Sequence, residues 1–136
     1  SAEDSLRVAL QSYATADLKL YQNKKEEALQ LFLTILQKHK GESIEEGTLY
    51  KVGKIHEEKG DFNKALTYYQ NILDNHKDGI YKDEALFYSA EIYRKHLLDN
   101  EKAKALYEKV VLEHPDSLYY TESRKQYRTL RGDSTI

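Results

Sequence analysis

The sequence has no cysteine, no methionine and no tryptophan, and only one proline and six glycines. Without cysteine there can be no disulfide, no thiol nucleophile, no thiolate metal ligand and no lipid-anchoring cysteine within the chain. So little proline and glycine argues against flexible linkers and against a strand-rich fold. No apolar run approaches the roughly 20 residues of a membrane span. Neither sign of charge dominates: 21 basic residues face 23 acidic ones, a net charge of −2, so there is no electrostatic case for nucleic acid. No glycine-rich phosphate loop and no Ser-His-Asp order is present, and His56-Glu57-Glu58 lacks the second histidine of a zinc-protease motif. No enzyme activity, cofactor or metal is expected. Because the chain starts at Ser1 and contains no methionine, it is expected to be a fragment or processed form from which a targeting segment could have been removed.

What is present is repetition. Lys54 to Leu73 reads as the end of one helix, a turn at Gly60-Asp61, and a second helix whose Phe62, Ala65, Leu66, Tyr69, Ile72 and Leu73 recur at helical spacing. Residues 23–40, 60–77 and 99–115 share one pattern. An alanine (Ala28, Ala65, Ala103) is followed four residues on by an aromatic (Phe32, Tyr69, Tyr107), then aliphatics, then a histidine (His39, His76, His114). The alanines are 65 − 28 = 37 and 103 − 65 = 38 residues apart, and the small residues Ala16, Gly53 and Ala90 on the preceding helices are 37 apart. A fixed period of this size is the signature of stacked helical hairpins.

These residues resemble the tetratricopeptide repeat family. Its first-helix positions fall on Leu49, Val52, Gly53 and His56, and again on Leu86, Ser89, Ala90 and Tyr93. Its second-helix positions fall on Ala65, Tyr69 and Ile72 and on Ala103, Tyr107 and Val110, with Pro115 at the closing proline. The first repeat departs, since Thr15 and Lys19 stand where an aliphatic and an aromatic are usual. The resemblance implies an all-α, right-handed solenoid in one domain over 1–136, with hairpins at about 5–41, 43–78 and 80–115 and a capping helix at about 117–131. It implies a protein or peptide partner in a concave groove lined by first helices. Carried over, the groove positions are Tyr13, Asp17 and Leu20, then Tyr50, Lys54 and Glu57, then Phe87, Glu91 and Arg94. Two carboxylates and one lysine at the middle positions do not suit the clamp for C-terminal carboxylates known in one subgroup.

Seven helices are predicted, at about 5–22, 25–38, 43–59, 62–75, 82–96, 101–113 and 118–130. Leu6, Leu10, Tyr13 and Ala14 are the expected buried stripe of the first, Ser43 to Glu46 a capping box for the third, and Gly53 and Ala65 a close helix contact. The three histidines read as charges at helix C-termini. In the last helix Tyr120, Tyr127 and Leu130 can cover the core. Arg124, Arg128 and Arg131 recur on a neighbouring face, as a polar cap or as an alternative partner face for acidic protein. Arg131-Gly132-Asp133 reads as a basic helix end, a stop and a tail. The Pro115–Tyr119 junction and long linkers resemble bacterial cell-envelope members of the family, outer-membrane assembly lipoproteins and Tol-Pal coordinators. A periplasmic scaffold is therefore the favoured setting, with a cytoplasmic adaptor or a homodimer paired through exposed tyrosines as alternatives.

Overall fold

A computed structural model describes residues 1–133. Its elements are α1 (Ala2–Tyr21), α2 (Lys25–Lys38), α3 (Glu45–Glu58), α4 (Phe62–Asn75), α5 (Lys82–Lys95), α6 (Asn100–Glu113) and α7 (Tyr120–Arg131). There is no strand among the described residues, and the fold is an all-α helical repeat. None of the described helices is long and apolar enough to cross a membrane. Two compact units divide the chain, Ser1–Asn71 and Ile72–Ile136.

In the first unit, Ala16 on α1 packs with Ala28, Leu29, Phe32 and Ile35 on α2 and with Val52 and Ile55 on α3. The expected stripe on α1 is only partly right. Ala9 and Ala16 are fully buried and Tyr13 packs against the core, but Leu6, Leu10 and Ala14 are exposed. The helix carries apolar residues on two sides, and only one of them meets α2. The close approach at Gly53 is real, and what lies nearest to it is the ring of Tyr69. A Cβ on Gly53 would lie 2.5 Å from the Tyr69 ring, closer than carbon atoms sit without something shifting. The capping box at α3 is also corrected. No side chain caps Ile44 at its start; Glu45 instead reaches back to accept from the Gly41 amide at 3.0 Å.

The second unit packs Leu86, Phe87 and Ala90 on α5 against Ala103, Tyr107 and Val110 on α6, with Tyr127 and Leu130 of α7 laid against the same cluster. Gly132 ends α7 in the left-handed conformation, at φ 94°. Asp99 caps α6, accepting from the Lys102 amide at 3.1 Å.

The turns inside the hairpins account for the uneven period. Each has one residue at positive φ: Asn23 (62°), Gly60 (81°) and Leu98 (54°). In the first two, the amide after it bonds five residues back, Lys24 to Lys19 and Asp61 to His56; in the third, Asp99 reaches six back, to Tyr93. That one additional residue turns a spacing of 37 into 38. Asparagine and glycine tolerate this conformation, while a branched side chain is strained there by about 1 kcal/mol. Leu98 is 78% exposed, so its side chain returns little packing. Leu98→Gly or Leu98→Asn is therefore expected to raise stability by about 1 kcal/mol, read from chemical denaturation. A midpoint unchanged or lowered in both would show that Leu98 is not strained.

Candidate protein-interaction surface

The first-helix positions form a repeated construction, and its first element is aromatic. Tyr13 on α1 sits edge-on to Phe32 of α2, with centroids 5.3 Å apart. Tyr50 on α3 lies 6.4 Å from Tyr69 of α4, and Phe87 on α5 lies 6.1 Å from Tyr107 of α6. Each first-helix ring therefore rests on the fully buried aromatic of its own hairpin. Tyr13 and Tyr50 keep a half-buried outer edge. Phe87 does not. Tyr119 stacks on it at 4.6 Å and leaves it 8% exposed, so its expected role as a free anchor is corrected to that of a core residue. Burial also pushes the Tyr119 hydroxyl, near the Tyr88 hydroxyl at 3.4 Å, well above its ordinary pKa.

The second element is charge, and its sign alternates. In the middle hairpin Lys54 and Glu57 approach to 3.7 Å, and the Tyr69 hydroxyl donates to Glu57 at 2.7 Å. In the third, Glu91 and Arg94 occupy the same positions with the signs exchanged. Arg94 donates to Glu91 and to the Tyr107 hydroxyl at 2.9 Å each, and that hydroxyl donates to Glu91. Lys95 adds a 2.9 Å contact to the other Glu91 oxygen. A buried hydroxyl without a partner would cost about 1–3 kcal/mol, so these carboxylates hold the hairpins together as well as facing outward. The first hairpin has Phe32, no hydroxyl, and correspondingly Leu20 in place of Glu57. Its Asp17 bridges instead to Lys51 of α3 at 3.0 Å. Aligning the repeats at 37 and 38 residues exposes this exchange, because Tyr69 and Tyr107 each require an acceptor that Phe32 does not.

Burial alone would raise the Glu91 carboxyl, but hydrogen bonds from Tyr107, Lys95 and Arg94 outweigh it and hold the group below the ordinary carboxylate value. A carboxyl depressed in the folded state contributes stability above the unfolded value and loses it as pH falls through the folded one. The Glu91→Gln variant is thus expected to be less stable than the parent at neutral pH, with the gap closing as pH falls through and below the ordinary carboxylate range. Denaturation curves above and below that range check it; a gap independent of pH would disconnect Glu91 from the acid limb.

On α7 the three arginines are distributed unequally. Arg124 is exposed, while Arg128 comes within 3.7 Å of Asp133 and Arg131 hydrogen-bonds the same carboxylate. Arg131 also lies over the Tyr127 ring at 4.9 Å. The sequence reading missed Asp133 as their partner, taking it for tail. Elsewhere, Ser5, His39 and Glu42 come together, with Ser5 Oγ at 3.2 Å and Glu42 Oε2 at 3.1 Å from the ring. Both touch the same nitrogen, Nδ1, whereas a catalytic triad needs the nucleophilic hydroxyl and the orienting carboxylate on opposite nitrogens. This cluster ties α1 to the end of α2 and offers no hydrolytic geometry. Among the described residues no three histidine, aspartate or glutamate side chains are placed to hold a metal ion.

Residues 48–79 and 84–117 match the family model of the tetratricopeptide repeat. A solved tetratricopeptide repeat protein from Parabacteroides merdae is similar over 91% of this chain and 46% of its own, with a TM-score of 0.73 and 20% identity. At that identity the likeness concerns the fold. The chain spans less than half of that protein's length. No curated protein matches the chain. In the tetratricopeptide frame Thr48 and Ala85, both fully buried, correspond to Ser123 on α7, which is fully buried too. The α7 helix thus has a buried small residue at the place of Thr48 and Ala85.

Proposed function

We propose that the protein is an interaction module, without chemistry of its own, whose partner is a peptide or extended protein segment lying on the first helices. In the first unit the surface is Tyr13, Asp17, Tyr50, Lys54 and Glu57, and on α5 the corresponding charged positions are Glu91 and Arg94. One observation carries the reading: Tyr13 and Tyr50 present half-buried rings at equivalent positions beside charges already fixed by Lys51 and Tyr69. Aromatic rings bury large area at low entropic cost, and charges held in place lose little freedom on binding. Their mixed signs favour a partner of alternating charge with apolar side chains between.

The test is a selection from a random peptide library, followed by mapping the best binder on the amide spectrum. Shifts should cluster on Tyr13, Asp17, Tyr50 and Lys54, and Tyr50→Ala should weaken binding by about 2 kcal/mol without unfolding the first unit. Perturbations confined to other surfaces would reject the assignment. For the setting we propose the bacterial cell envelope, because the Pro115–Tyr119 junction and the long linkers resemble those of envelope members of the family. Fractionation of the source cells checks this, and cytoplasmic recovery would favour an adaptor. Self-association is a second reading, favoured by Leu6, Leu10 and Leu18 of α1 at 36%, 49% and 53% exposure. Sedimentation at tens of micromolar separates it: a dimer dispersed by Leu10→Glu supports it, and a monomer throughout removes it.

A further inference from the structure

We infer that the arginine face of α7 is a docking site for an acidic helix of a partner protein, seated as the second helices of the earlier hairpins sit on α3 and α5. The argument starts from equivalence. Leu49 and Gly53 on α3, and Leu86 and Ala90 on α5, stand where a first helix receives the second helix of its hairpin. All four are buried; Gly53 lies against the Tyr69 ring, and Leu86 and Ala90 share a cluster with Ala103 and Tyr107. Shifted by 38 residues, Leu86, Ala90 and Tyr93 become Arg124, Arg128 and Arg131. The opposite flank of α7 keeps its repeat character, with Ser123 buried and Tyr127 and Leu130 against the core. The helix is therefore held in place, and only its receiving face has been changed, from apolar to guanidinium.

Such a face refuses an ordinary second helix. An alanine and a tyrosine at the contact would leave three guanidinium groups without acceptors in a drying interface. A helix with carboxylates at i, i+4 and i+7 meets the same spacing with charge-assisted, two-pronged hydrogen bonds. The local charge agrees: Tyr120 to Asp133 holds four cations (Arg124, Lys125, Arg128, Arg131) and two anions (Glu122, Asp133) in a chain of net charge −2. The molecule already seats one carboxylate there, since Asp133 folds back onto Arg128 and Arg131. Asp133 is then an internal competitor that a partner must displace.

The probe is a fluorescein-labelled, alanine-rich helical peptide with glutamates at i, i+4 and i+7, titrated by anisotropy against the whole chain. Saturable binding is expected, weakening about tenfold or more as salt is raised across the range where the screening length shrinks below a helix diameter. Asp133→Asn should tighten binding severalfold. R124E/R128E should abolish it, and R124Q, at an exposed position with no role in the core, should weaken it in a protein whose melt is unchanged. The inference is overturned if the peptide does not bind at millimolar concentration, if the charge-reversed variant binds equally, or if a peptide of the same charge with glutamates spread around the helix binds as well. Any of these leaves α7 as a polar cap only.

Discussion

Replacing Gly53 with leucine is expected to lower the melting temperature by roughly 10 °C, about 3 kcal/mol for a chain of this size. The first added carbon already lies 2.5 Å from Cε1 and 2.9 Å from Cδ1 of Tyr69. That ring cannot swing aside cheaply. It is fully buried, its hydroxyl is held by Glu57, and the tilted Tyr50 ring lies 6.4 Å away. Even Gly53→Ala should destabilise, although alanine is the better helix former by about 1 kcal/mol. The decisive comparison is Gly53→Ala combined with Tyr69→Leu. If ring and Cβ compete for one space, the double variant loses less than the sum of the two single ones. Strict additivity, or a Gly53→Leu melt superimposable on the parent, would place Gly53 away from the α3–α4 contact.

Phe87→Ala is expected to cost about 3–4 kcal/mol, within the usual range for removing a buried ring. The ring is enclosed by Tyr107 behind, Tyr88 at its edge and Tyr119 stacked across it. Truncation would leave a void that three tyrosines, each with a hydroxyl to satisfy, cannot collapse into. Tyr50→Ala should cost clearly less, because its outer edge is already solvated. Thermal melts of the two variants side by side read the difference. Equal and small losses would return Phe87 to the surface and restore it as a binding anchor.

The helices were largely legible in the chain. The predicted spans of the second and fourth coincide with α2 and α4, because Lys25 and Phe62 each follow a tight turn and the Ala–aromatic–aliphatic stripe has one dry side. The first helix was harder. Leu6 and Leu10 on one side compete in the pattern with Ala9 and Ala16 on the other, and hydrophobicity alone favours the leucines. Thr15 and Lys19, irregular in the motif, have a physical reason. Their counterparts Val52 and His56 on α3 are buried, whereas Thr15 is exposed and Lys19 only partly covered. At the candidate surface, residue positions could be carried over but not their bonds. That Lys54 and Glu57 or Glu91 and Arg94 would clasp a tyrosine from the next helix depends on rotamers and reach, which no spacing records. Phe87 was misjudged for a related reason: Tyr119, which covers it, lies 32 residues further along.

The tyrosine clasp also sets a rule of inheritance for hairpins of this kind. A second-helix phenylalanine, as at Phe32, leaves its first helix free to drift toward apolar residues such as Leu20. A tyrosine at that place commits the first helix to an acidic residue at one of two sites a turn apart, as Glu57 and Glu91 show. Which site is used decides the direction in which each hairpin's surface dipole points. Duplicating the middle hairpin or deleting the third would keep every core contact within a hairpin, yet change the order of charges a partner reads. Recognition could then diverge through rearrangement of whole modules, with no substitution at the surface itself.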